Sequence, residues 1–247
     1  MKNLYDEKKD AFFEMSFSSE TSSKLLQPTL ATMEEIHAFV DRAQPIDSAH
    51  IIELGAGDGR FSLPLLKLGF QITAMDSVER ALETLKKAAN ILGIDSKLKT
   101  IKSDLTNTED NMIYTFDVGL LVSTFYMLAP KQNERIAILN NLIKYIKPGG
   151  KVVILDPNPL CPLFYPYYLL HPRVRWAIEK NFLYSNRWNM KRIYKRMGLK
   201  DVTVYPYGFF PGFVINIFPI LSRLNKVLVK IPIINYFSTF NFFIGTK

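Results

Sequence analysis

Cysteine is all but missing from this chain: Cys161 is the only one in 247 residues. A single thiol excludes a disulfide framework and any cysteine-based metal site. The first ten residues, MKNLYDEKKD, contain no apolar run. No secretory signal is therefore expected, and a cytoplasmic location is the default. Internal repeats and low-complexity tracts are also absent. Acid is the scarcer charge, with 31 Lys and Arg against 23 Asp and Glu, a net charge of +8. That surplus suits an anionic partner, whether nucleic acid, a membrane surface or a phosphorylated substrate, without choosing among them. The 48% hydrophobic content is ample for one large buried core.

What is present is alternation. Helical spacing in TLATMEEIHAFVDRA sets Leu30, Met33, Ile36, Phe39 and Val40 on one face. From residue 50, HIIEL, FQITAMD, KLKTIKSD, YTFDVGLLVST and KVVILD read as strands. Between them, DGRFSLPLLKLG, SVERALETLKKAANILG and KQNERIAILNNLIKYI read as helices. These stop at Gly69, Gly93 and KPGG, and Ser77 is the expected N-cap of the second. YTFDVGLLVST is apolar for most of its length, as a central parallel strand should be. Such alternation predicts a parallel α/β sheet covered by helices on both faces. After Asp156 the pattern changes to PNPLCPLFYPYYLLHPRVRW, then a basic helix in RWNMKRIYKRMG and a strand in LKDVTVYPY. A second irregular segment, 208–237, precedes a last strand in STFNFFIGTK. Interruptions of this length inside a compact domain are usually functional.

The stretch HIIELGAGDGR joins a strand to a helix through a glycine turn. Gly55 permits a tight turn, Gly57 a close approach of backbone to ligand, and the helix start offers free N–H groups. A dinucleotide fingerprint would require a third glycine at position 60, which is Arg60; the glycines fall at 55, 57 and 59. Glu53 stands in the strand before the turn. An acid there repels a pyrophosphate but suits a ligand carrying a positive charge or an amino group. Asp76 closes the second strand, where a carboxylate can accept both hydroxyls of a ribose, and Asp104 is expected to close the third. Three acids and a glycine turn thus converge on one crevice at the carboxyl ends of the strands.

With these residues the sequence resembles the class I S-adenosylmethionine-dependent methyltransferases. ELGAGDG is similar to their first motif, TAMDSV to their second-strand acid and KSDL to their adenine-contacting acid. FDVGLLVST is similar to their fourth strand and IKPGGKVVILDPNP to the entry of their fifth. The likeness is dense over residues 50–158 and looser beyond. It implies a Rossmann-like seven-stranded, mostly parallel sheet with an antiparallel last strand, and aromatic or apolar inserts capping the active site. It implies S-adenosyl-L-methionine as cofactor and no metal. Gly55, Ala56 and Gly57 would pass beneath the methionine part, and Glu53 would orient its amino group. Asp76 would hold the ribose hydroxyls. Asp104 would hold the adenine amine, with Leu105 packing on the ring, and Val122 and Ser123 would lie near the sulfonium. Gly59 and Ser77 complete the expected cofactor-binding set.

The sequence names no general base. His171, in the aromatic insert, and Tyr126, just beyond the fourth strand, are candidates, though a structural role suits each at least as well. His37 and His50 read as structural. An N-P-P-Y-like turn after the fourth strand, used by enzymes that methylate exocyclic amines, is replaced here by STFYMLAP. That argues against nucleic-acid bases, and the basic run KRIYKRMGLK reads first as a solvated helix face. Residues 202–222 carry no charge, yet their prolines and glycines argue against a membrane span. In LSRLNKVLVKIPII, helical spacing puts Leu221, Leu224, Leu228 and Ile231 on one face and Arg223, Lys226 and Lys230 on another. Such a helix either caps the active site with its charges toward water or lies on an anionic membrane.

The expected organisation is one methyltransferase domain over residues 1–247. Residues 1–49 form an N-terminal helical lid, in which Tyr5, Phe12 and Phe13 fold over the cofactor. Residues 50–156 form the cofactor-binding core, and 157–188 and 208–237 are substrate-side inserts. The expected substrate is a small apolar or lipid-linked acceptor, methylated on oxygen, with peripheral membrane contact through 208–234. The alternatives are an RNA methyltransferase using the basic face and a non-catalytic cofactor-binding or membrane-adaptor protein. Oligomeric state is not legible.

Overall fold

The computed structural model describes residues 26–127, 131–166 and 180–247. Helix α1 (Leu30–Ala43) opens at Thr29, whose side chain accepts the Thr32 amide. It buries Ala31, Ile36, Phe39 and Ala43, while Leu30, expected on the buried face, is 41% exposed in the first turn. Strand β1 (His50–Leu54) leads into α2 (Ser62–Lys67), then β2 (Gln71–Asp76), α3 (Glu79–Ile91) and β3 (Leu98–Lys102). Strand β4 (Phe116–Val122), helix α4 (Gln132–Tyr145) and strand β5 (Ile146–Pro157) follow. Helix α5 (Arg187–Arg196), strand β6 (Lys200–Tyr207), short helix α6 (Gly212–Ile217), helix α7 (Ile220–Leu228) and strand β7 (Phe240–Thr246) complete the chain.

The seven-stranded sheet has the order β3-β2-β1-β4-β5-β7-β6. Pairing is parallel from β3 to β5, and β7 runs antiparallel to both β5 and β6. The order turns back between β1 and β4, which opens a crevice at the carboxyl ends of these strands. One face packs α1, α2 and α3 through Ile36, Phe39, Leu63, Leu66, Leu82 and Leu85. The other packs α4 and α5 through Ile138, Leu142, Met190 and Tyr194. Burial on both faces is why β4 is apolar along most of its length.

Three expectations need correction. Helix α3 starts at Glu79 with Val78, not Ser77, at its N-cap; the Val78 amide donates instead to Asp76 Oδ1 at 2.9 Å. Strand β3 ends at Lys102, so Asp104 lies in the turn beyond it, not in the strand. The KPGG segment does not separate helix from strand, because β5 begins at Ile146 directly after α4 and absorbs it through a register shift. In helix α7 the fully buried positions are not the leucines. The helix buries Ser222 and Asn225 and leaves Leu224 exposed, because those two polar side chains bond to α1 and to the 209–210 backbone. No helix among the described residues is long and apolar enough to cross a membrane.

Candidate active site

The crevice is built from the glycine turn upward. Gly55, Gly57 and Gly59 have φ of 69°, 55° and 95°, in the left-handed region that favours glycine. The Gly55 and Ala56 amides donate to Met75 O at 2.8 and 3.2 Å, which fastens the turn to the end of β2. The Gly57 amide donates to Asp76 Oδ2 at 2.9 Å. A Cβ added at Gly57 would meet no atom within 4 Å, so the space over it is open to a ligand. Gly59 differs: a Cβ there would lie 2.4 Å from Leu85 Cδ1, so this glycine serves the packing of α3.

Glu53 is 3% exposed, and Ser62 Oγ donates to its Oε2 at 2.5 Å. Burial pushes its pKa up to about 7, opposed by the Ser62 hydrogen bond and the nearby Arg60 charge. Asp58, in the turn itself, is also pushed above its ordinary value by desolvation. Arg60 makes an ion pair with Glu35 and so ties the turn to α1. Glu53, Asp58 and Asp76 therefore form one acidic wall. Such a wall favours a cationic or hydroxyl-bearing ligand over a pyrophosphate.

On the far side of the crevice, Asp104 Oδ1 accepts both the amide and the hydroxyl of Thr106, at 2.9 and 2.7 Å. Leu105 beside it is 8% exposed. This loop is fixed from α4. Asn141 Nδ2 donates to the carbonyls of Leu105, Thr106 and Asn107 at 3.2, 2.9 and 3.1 Å. One turn later, Tyr145 Oη accepts the Glu109 amide at 2.9 Å. Val122 is buried at the end of β4, and Ser123 after it takes φ 51°, an unusual value for a non-glycine residue. Its amide donates to Leu155 O at 2.6 Å.

Beyond Ser123 lies a buried aromatic cluster. Tyr126 is 6% exposed and packs with the fully buried Phe182, with Met127 and Phe164 around them. Phe164 meets Phe182 and Phe240 edge-on, at centroid distances of 6.1 and 5.8 Å. Asp156, fully buried at the end of β5, accepts the Ser185 hydroxyl at 2.6 Å, and burial lifts its pKa to about 7. Asn158 donates to Tyr236 O and Ser238 O, both at 2.7 Å, and thereby joins the two inserts. Arg187 donates to Asn241 Oδ1 at 3.0 Å and Asn235 Oδ1 at 3.1 Å, and sits 4.7 Å over the Tyr236 ring.

The structure thus gathers Glu53, Gly55, Ala56, Gly57, Asp76 and Ser77 at the ends of β1 and β2. Val122 and Ser123 stand at the end of β4, and Asp104 and Leu105 beyond β3. His171 and the aromatic residues of the expected lid, Tyr5, Phe12 and Phe13, lie outside the described residues. His50 is structural, its Nε2 2.9 Å from Thr73 Oγ1. Sequence reasoning missed Asp58, Asn141 and Asp156. The first was visible inside the turn as the D of GAGDG. The others gave no signal, since a helical asparagine or a strand-end aspartate acquires its role only from what packs against it.

This sheet order, this strand polarity and an acid-lined glycine turn at the crevice are those of the class I S-adenosylmethionine-dependent methyltransferase fold. Residues 29–168 match the family model described as "Tellurite resistance protein TehB", more than half of the chain, and the chain belongs to that family. It is similar to the cypemycin N-terminal methyltransferase of a Streptomyces species, 31% identical over 123 residues, which are 49% of this chain and 47% of that protein. It is also similar to the ubiquinone biosynthesis O-methyltransferase of Rickettsia akari (strain Hartford), 27% identical over 126 residues, 51% of this chain and 46% of that one. The chain spans about half the length of these curated relatives. Among solved structures, a Haemonchus contortus phosphoethanolamine N-methyltransferase holding S-adenosylhomocysteine aligns over 87% of this chain and 52% of its own. Its TM-score is 0.60 at 17% identity, a likeness of fold.

Proposed function

We propose that this protein transfers the methyl group of S-adenosylmethionine to a small apolar or lipid-linked acceptor, with an oxygen as the methylated atom and membrane contact through residues 208–234. The observation that carries this reading is the aromatic cluster beyond Ser123. Tyr126, Phe164, Phe182 and Phe240 form a packed aromatic cluster that follows Ser123 at the carboxyl ends of β4 and β5. The likeness to a ubiquinone biosynthesis O-methyltransferase supports oxygen as the acceptor atom.

In this reading Glu53 orients the amino group of the cofactor and the open turn at Gly57 passes beneath its methionine part. Asp76 accepts the ribose hydroxyls, and Asp104 with Leu105 receives the adenine. The cofactor, when bound, supplies a methyl group already activated on sulfur. The chain's own task is alignment and dryness. The turn at Ser123 is held by the Leu155 carbonyl, and the aromatic cluster excludes water from the acceptor side. His171 is the proposed acceptor of the proton that an oxygen acceptor must lose.

The test is calorimetric titration with S-adenosylmethionine and S-adenosylhomocysteine, then transfer of labelled methyl to lipid extracts, simple phenols and RNA. Micromolar binding, with label passing to phenols or extractable lipid, supports the reading. Label passing only to RNA or peptide overturns the acceptor class, and absence of cofactor binding overturns the activity. An unchanged rate in His171→Ala at saturating cofactor removes His171 as base.

A further inference from the structure

We propose that the outward face of α6 and α7 is a docking surface for an anionic lipid bilayer. Helix α7 is turned inside out. Its buried positions are polar: Ser222 is 5% exposed and donates to Glu34, while Asn225 is 7% exposed and accepts the amides of Phe209 and Phe210 at 2.9 and 3.2 Å. Its exposed positions combine an aliphatic stripe with cations. Ile220, Leu224 and Val227 are 63%, 42% and 56% exposed, and Ile231 continues the same stripe. Helix α6 adds Phe213 and Ile217, each 66% exposed. A helix that grips its own domain through hydrogen bonds and offers aliphatic side chains outward is poorly suited to water, and patches of this kind mark interaction sites.

Charge names the occupant. Residues 202–247 contain no aspartate or glutamate. Arg223, Lys226 and Lys230 stand exposed beside the apolar stripe. Lys226 lies 3.7 Å from Glu34, whereas no described carboxylate forms an ion pair with Arg223 or Lys230. Apolar side chains flanked by exposed cations suit the boundary between acyl chains and anionic headgroups. A second copy fits worse, because pairing this face with itself would bring two sets of these cations together without an acid in the segment to neutralise them.

The surface also lies where a lipid-borne acceptor would arrive. Strand β6 is antiparallel to β7, as β5 is, so β6 runs in the direction of β5 and delivers α6 at the strand edge that carries the glycine turn. This proposal deepens the membrane contact named above. It does not depend on the acceptor, because vesicle binding is read without methyl transfer.

The experiment is co-sedimentation of the full chain with vesicles of phosphatidylcholine alone, or of phosphatidylcholine mixed with phosphatidylglycerol. Binding is expected to the mixed vesicles and to weaken with salt. Leu224→Asp combined with Val227→Asp should abolish it. Arg223→Gln combined with Lys230→Gln should lower partitioning roughly 25-fold, about fivefold per charge. All four positions are solvent-facing, so thermal melts and cofactor titration should match the parent and show that the variants fold. Failure to sediment with either vesicle, or equal binding to both, overturns the proposal. So does a stable dimer in light scattering that Leu224→Asp dissociates, which would give the face to a second copy. Vesicle binding without methyl transfer to any lipid would leave this surface standing and sink the acceptor reading alone.

Discussion

The carboxylate of Asp76 holds two parts of the crevice at once: Oδ2 accepts the Gly57 amide and Oδ1 the Val78 amide, each at 2.9 Å. The side chain at the end of β2 therefore ties the glycine turn to the start of α3. Asp76→Ala removes both bonds and any hydroxyl contact to a ribose. The expected outcome is at least a tenfold loss of S-adenosylmethionine affinity by calorimetry, with a stability loss of roughly 1–3 kcal/mol from the two amides left without a partner. Unaltered affinity would show that the carboxylate serves the fold alone.

Glu53 carries a pH signature. Its folded pKa is about 7 against an ordinary 4.5, because burial disfavours the charged form. Between about pH 4.5 and 7 the unfolded chain has already released this proton while the native chain retains it. Stability therefore falls as pH rises through that window and levels off above about 7. Asp156 adds a slope of the same sign, from 3.8 to about 7. Glu53→Gln should flatten its share, on the order of 3 kcal/mol, in denaturant melts at a series of pH values. A ligand with an ammonium group beside Glu53 favours the ionised form. Binding below pH 7 should then release a proton, detectable as a buffer-dependent heat that Glu53→Gln abolishes.

Asn141 acts from outside the crevice. Its single amide nitrogen serves three carbonyls of the loop that carries Leu105. Asn141→Leu keeps the branched shape but leaves those carbonyls without their donor, at an expected cost of about 2–4 kcal/mol. In steady-state kinetics the cofactor KM should rise several-fold while the acceptor KM stays near its parent value. Equal changes in both would mean that the loop does not frame the adenine side.

Gly57 and Gly59 should part company when changed to alanine. At Gly59 the new Cβ meets Leu85 at 2.4 Å and the backbone sits at φ 95°, so Gly59→Ala should melt well below the parent. At Gly57 there is open space, and the cost is chiefly the φ of 55°, about 1 kcal/mol. Gly57→Ala should fold and lose cofactor affinity. Melting curves and titrations on the two variants separate packing from ligand approach, and reversed results would exchange the roles assigned here.

The sequence by itself determined the alternation of strands and helices, the glycine turn and the acids around it. These are local matters: apolar periodicity, turn chemistry and the spacing from turn to strand end are written in neighbouring residues. It set Glu53 and Asp76 beside that turn for the same reason, whereas Leu105 was named only by the resemblance to the methyltransferase family. It placed Ser77 as a helix cap and missed that Asp76 takes the Val78 amide, because competition between adjacent side chains for one N–H depends on backbone angles. Only the tertiary structure decided that Asn141 would hold the 105–107 carbonyls and that Asp156 would be buried against Ser185. In each case the partner lies about thirty residues or more away. It also decided which side of α7 faces out. Helical spacing separates the leucines from Arg223, Lys226 and Lys230, but it does not show that the inward side carries Ser222 and Asn225. Hydrogen bonds from Ser222 and Asn225 to α1 and the 209–210 backbone settle that, and they exist only once the chain has folded.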